Sequence, residues 1–80
     1  MARVKVKLYG TLRNKIKSYD PAKGLDVEIR DGASIADLVA HLGILESKIG
    51  FVSVNGRIVT ATGAVEDGAV IKVFQPIFGG

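Results

Sequence analysis

The residues best placed for chemistry are the last five, Pro76-Ile77-Phe78-Gly79-Gly80. Glycine loses more conformational freedom on ordering than any other residue, and chain ends fray unless something ties them down. An apolar stretch finished by two glycines is therefore a poor fold element. It is a good thread: a backbone stripped of side chains can enter a narrow channel and present a carboxylate to another protein's active site. Pro76 cannot donate a ladder hydrogen bond and belongs at a strand end or edge, so the chain is expected to leave its sheet at Gln75-Pro76. Beyond it Ile77 and Phe78 would be exposed apolar groups, which a soluble protein covers with a partner. The expectation is a protruding tail, residues 75–80, with the carboxylate of Gly80 as the reacting group. Phe74, Pro76, Ile77, Phe78 and Gly79 would contact the partner, and the enzyme would be supplied in trans.

Other chemistry finds little support in the sequence. There is no cysteine, which removes disulfides and thiolate zinc sites. His41 is the sole histidine and falls beside the apolar stripe of the predicted helix, the place of an ordinary surface residue; no metal site is expected. Asp26, Glu28, Asp31 and Asp37 are dispersed over strand, turn and cap positions, and Glu66-Asp67 reads as a turn, so no general acid–base pair forms. The glycines punctuate elements and make no phosphate loop. Arg3, Lys5, Lys7, Arg13, Lys15 and Lys17 crowd the first part of the chain, yet the net charge is only +3. A single-stranded nucleic-acid platform needs exposed aromatic rings beside its charges. Tyr9 and Tyr19 are the only nearby candidates, and Tyr9 suits the core as well. These charges read as a solvated face.

The elements that must carry the tail fit one small domain, residues 1–80. A chain this short buries only about 60–65% of its unfolded surface, and without disulfides it depends on an apolar core, for which 48% hydrophobic residues suffice. Arg3-Val4-Lys5-Val6-Lys7-Leu8 alternates strictly, as a strand with one buried face does. Tyr9 to Gly24 reads as a long hairpin loop, and Leu25 to Arg30 alternates again. Ser34 is a helix N-cap with Asp37 as a weaker capping-box partner. Ile35, Leu38, Val39 and Leu42 form one apolar stripe, and Gly43 is the stop. Asn55-Gly56 is a tight-turn signal between two short strands. Ala69 to Phe74 is a mostly apolar final strand, expected to be covered on both faces. The order β-β-α-β-β-β has a compact solution: the last strand returns parallel beside the first by a right-handed crossover and the sheet grips the helix. That is an α+β, ubiquitin-like β-grasp with a mixed sheet. Charges interrupt any signal-peptide core at the N-terminus, and no apolar run reaches the ~18 residues of a membrane span; with the absence of cysteine, a cytoplasmic protein is expected.

With Val54-Asn55-Gly56-Arg57-Ile58-Val59, Glu66-Asp67-Gly68-Ala69-Val70-Ile71-Lys72-Val73-Phe74 and the final Gly-Gly in this order, the whole chain resembles the MoaD/ThiS family of prokaryotic sulfur carriers. The resemblance implies that a ubiquitin-activating-enzyme-like adenylyltransferase, using ATP and magnesium, adenylates the Gly80 carboxylate. Sulfur from a persulfide donor then replaces AMP to give a thiocarboxylate. The chain itself would be non-catalytic and bind no cofactor. Leu8-Tyr9-Gly10-Thr11-Leu12-Arg13-Asn14 after the first strand and the proline in the tail resemble the MoaD type, the small subunit of molybdopterin synthase, which delivers sulfur for molybdopterin or tungstopterin. Gln75 and the bulky Phe78 depart from that pattern, and Val73-Phe74-Gln75 resembles ThiS, whose partner is thiazole synthase. Two further readings stay open: a ubiquitin-like modifier joined through Gly80 to lysines, and a TGS-type RNA-binding module, against which the free Gly-Gly end counts.

Overall fold

The computed structural model describes residues 1–16, 19–20 and 22–76. Lys17, Ser18, Pro21, Ile77, Phe78, Gly79 and Gly80 lie outside the described residues, and with them the expectations placed on the last four. The strands are β1 (Ala2–Leu8), β2 (Leu25–Ile29), β3 (Phe51–Val54), β4 (Arg57–Val59) and β5 (Val70–Phe74), and the helix is α1 (Ile35–His41). They form one sheet in the order β2-β1-β5-β3-β4. β1 pairs antiparallel with β2 and parallel with β5, in the register Lys5↔Val70 to Leu8↔Val73. β3 pairs antiparallel with both β5 and β4. This is the β-grasp arrangement that the element order implied.

Alternation decides what each strand buries. Val4, Val6 and Leu8 of β1, Val27 and Ile29 of β2, Val52 and Val54 of β3 and Ile71 and Val73 of β5 join Ile35, Leu38 and Val39 of α1 in one core. The helix is held at both ends. Ser34 Oγ accepts from the Asp37 backbone N–H at 3.1 Å and Asp37 Oδ2 accepts from the Ser34 N–H at 2.9 Å, a full capping box. The two remaining orphan donors of the first turn, Ile35 and Ala36, donate to the carbonyls of Gly63 and Ala61, so no N-terminal amide goes unpaired. At the other end Gly43, at φ +77°, donates to Ala40 while Ile44 donates to Val39; this paired closure is the Schellman motif, and it needs the left-handed residue that glycine supplies. The β3–β4 turn takes left-handed conformations at both Asn55 and Gly56 (φ 50° and 88°), matching the strand twist.

Two expectations are corrected. The long loop after β1 is not structureless: Gly10–Lys15 forms a 3-10 helix, and Leu12 within it is 2% exposed and belongs to the core. The final strand is not covered on both faces. Only Ile71 and Val73 face the helix, while Val70 is exposed and Lys72 and Phe74 are half-buried on the other side. One helix covers one face of a five-stranded sheet, and among the described residues no second layer covers the opposite face, β5 included.

The candidate functional site

The open face presents three rows of side chains, set by the strand register. Nearest the chain's exit is an aromatic row: Tyr9 just after β1, Phe74 of β5 and Phe51 of β3. Phe74 is the middle ring, 4.6 Å from Tyr9 and 4.4 Å from Phe51 between centroids, with interplanar angles of 10° and 15°. The next row carries Lys7, Lys72, Ser53 and Ile58, which are register partners across β1, β5, β3 and β4. Ile58 is 73% exposed. The third is Asp26, Lys5 and Val70. Asp26 faces Lys5 at 3.6 Å and Glu28 bonds Arg3, so β2 answers the first two charges of β1. Lys7 and Lys72 sit side by side on neighbouring strands instead. The face is therefore apolar toward the exit and basic at its centre.

The exit itself is built. Gly50 donates its N–H to the Phe74 carbonyl at 2.7 Å. Gln75 Oε1 accepts from the Thr11 N–H at 2.6 Å and from Thr11 Oγ1 at 2.7 Å. Pro76 passes directly over Gly50: a Cβ built on Gly50 would lie 2.7 Å from both Pro76 Cα and the Gln75 carbonyl oxygen. Gln75 and Pro76 are half-buried and wall a groove of about 590 Å³ with Thr11, Leu12, Asn14, Ser47 and Lys48. Gln75, the first residue of the expected tail, is hydrogen-bonded to the body of the domain, and Pro76 is the last residue the structure describes.

Of the predicted site residues, Phe74 and Pro76 stand at the exit, side by side with the open face. Ile77, Phe78, Gly79 and Gly80 lie outside the described residues. Sequence reasoning missed Phe51, Ile58, Thr11, Gly50 and the positional meaning of Gln75. The strand alternation placed Phe51 and Ile58 away from the helix and could have marked both; nothing local marked Thr11, whose partner is 64 residues away.

The remaining candidates have structural work. Asp37 caps α1 and also meets Arg30 Nη2 at 2.9 Å; the Ser34 hydrogen bonds, with Arg30 adding to them, hold its carboxyl below the ordinary value. Asp31 faces the N-terminal ammonium and Asp67 accepts from the Arg3 N–H at 2.8 Å. The Tyr19 hydroxyl accepts from the Leu8 N–H at 2.9 Å and donates to the Leu8 carbonyl, so that ring braces the long loop and is not a stacking platform. His41 is exposed in the last turn of α1. Among the described residues no group of His, Cys, Asp and Glu is arranged to hold a metal, and no helix is long and apolar enough to cross a membrane.

The elements thus make a ubiquitin-like β-grasp whose uncovered face lies beside the exit of the chain from β5. The ThiS family profile matches residues 6–80, and the chain belongs to that family. Among solved structures it is similar to small archaeal modifier protein 1 of Haloferax volcanii, at a TM-score of 0.75 and 21% identity, covering 96% of this chain and 100% of that one. It is also similar to the putative molybdopterin converting factor subunit 1 of Pyrococcus furiosus, at a TM-score of 0.73 and 24% identity over 96% and 100% of the two chains. At these identities the likeness establishes the fold. No curated protein sequence matches the chain.

Proposed function

We propose that this chain is a sulfur carrier of the molybdopterin-synthase type, whose cargo is borne on the carboxylate of Gly80. The observation that carries the reading is the extent of the family match, which runs through Gly79 and Gly80 to residue 80. A carboxylate is a poor electrophile. Adenylation by a separate activating enzyme, with ATP and magnesium, turns it into an acyl adenylate. A persulfide sulfur attacks the acyl carbon and expels AMP, and a thiol then cleaves the sulfur–sulfur bond to leave the thiocarboxylate. The chain contributes delivery and recognition, with Phe74 and its stacked neighbours as the docking ground beside the tail. Delivery to a molybdopterin synthase large subunit is favoured over a thiazole synthase by the likeness to the Pyrococcus protein.

Intact-mass measurement of full-length protein incubated with its activating enzyme, ATP and a sulfide source tests this. The expected product has one carboxyl oxygen replaced by sulfur. An unchanged mass under conditions where a known carrier is converted overturns the reading.

A modifier role is the second reading, favoured by the likeness to the Haloferax modifier protein. It shares the activation step and differs in its product: lysine-linked conjugates in cells that vanish when Gly80 is deleted.

A further inference from the structure

We propose that Gln75 is a positioning residue: its side-chain amide latches the base of the tail to the loop after β1 and aims the tail at the activating enzyme. The inference rests on the reading that Gly80 carries the reacting carboxylate.

The 3-10 helix Gly10–Lys15 receives no side-chain cap from Tyr9. Its first amides need an acceptor, and Gln75 Oε1 supplies one to Thr11, N–H and hydroxyl together. The side chain reaches there by lying over Gly10, where a Cβ would collide with it; Gly10 sits at φ +67°, a conformation that glycine adopts without penalty. β1 and β5 run parallel, so their C-terminal ends lie at the same edge of the sheet, and residue 75 meets residue 11 there. On the other side Gly50 grips the Phe74 carbonyl and underlies Pro76. The base of the tail is thus held from two sides.

The latch has a directional consequence. Pro76 has a fixed φ and restricts the residue before it. An orientation set at Gln75 is therefore passed stiffly through Pro76 to whatever follows. A tail whose base is already fixed loses less freedom when it enters a partner. No core residue takes part in this bond: among the described residues Gln75 Oε1 accepts from Thr11, which is exposed, and Gln75 itself is half-buried.

Three full-length variants test the role in steady-state adenylation by the cognate activating enzyme, each with its melting temperature. Gln75→Leu keeps the bulk and removes the acceptor, and kcat/KM for the carrier is expected to fall about five- to tenfold, the size expected for two ordinary hydrogen bonds. Thr11→Val keeps the N–H and removes the hydroxyl, for a smaller loss of about two- to threefold. Gln75→Glu retains an acceptor for both donors and should react within about twofold of wild type. All three should remain folded at the assay temperature, and exchange of the Thr11 amide proton should accelerate in Gln75→Leu alone. Wild-type kcat/KM in Gln75→Leu despite a fast-exchanging Thr11 amide overturns the positioning role and leaves the carrier reading intact. A Gln75→Glu protein as poor as Gln75→Leu also overturns it. A wild-type chain that is never adenylated overturns the carrier reading and the positioning role with it.

Discussion

The ring of Phe74 lies parallel to that of Tyr9, 4.6 Å away, on the face of the sheet that no helix covers. With Phe51 on its other side, Phe74 shares its two flat faces with protein and offers its edge outward. Offset stacks of this kind add about 0.5–1.5 kcal/mol per pair to simple burial. Phe74→Ala is therefore expected to destabilise the fold by about 1–3 kcal/mol and to weaken binding of the activating enzyme. Phe51→Ala, at a position 37% exposed, should cost less stability and a comparable share of binding. Chemical denaturation and a binding titration separate the two effects. Unchanged affinity in both variants would remove the aromatic row from the docking surface.

Leu12 has left the loop for the core, so Leu12→Ala should behave as a core truncation and cost about 2–5 kcal/mol. Urea unfolding reads this directly. A loss well under 1 kcal/mol would mean that the 3-10 segment is an ornament on the sheet.

The helix cap should be visible in the acid limb of stability. Asp37 is held below 3.8 by its bonds from Ser34, supplemented by Arg30. Its folded value is depressed, so its contribution is complete above 3.8 and is lost as the pH falls through the lower folded value. Asp37→Asn should flatten that part of a melting-temperature profile and change it little in shape near neutrality. Ser34→Ala removes the partner oxygen and should cost about 1 kcal/mol at neutral pH.

Deleting Gly79-Gly80 should leave the melting temperature unchanged within error while abolishing adenylation. A marked drop in stability would assign these residues to the fold and not to the chemistry.

Much of the fold was legible because its signals are local and repeated. Val4, Val6 and Leu8 alternate without a break, Ser34 and Asp37 sit at capping distance, Asn55-Gly56 demands a tight turn, and a single helix between two hairpins leaves few sheets to build. The 3-10 helix was hidden because one or two tight turns carry no 3.6-residue period, and Leu12 is a single apolar residue among polar ones. β5 misled for a different reason: Val70 and Phe74 are apolar on the open face, which suggests cover that this small chain does not provide. Of the exit, Pro76 is legible in the sequence as the residue that ends the strand, while the Thr11–Gln75 bond depends on two strands ending at the same edge of the sheet, and that is a property of topology.

The parallel pairing of β1 with β5 has one more consequence, a mechanical one. A partner that grips the far end of the chain pulls along β5, while the start of β1 lies at the opposite end of the same ladder. Tension between those points loads the β1–β5 hydrogen bonds together, in shear, instead of opening them one after another from an end. That geometry would make the β1–β5 ladder the part of the sheet that resists a pull on the chain beyond β5.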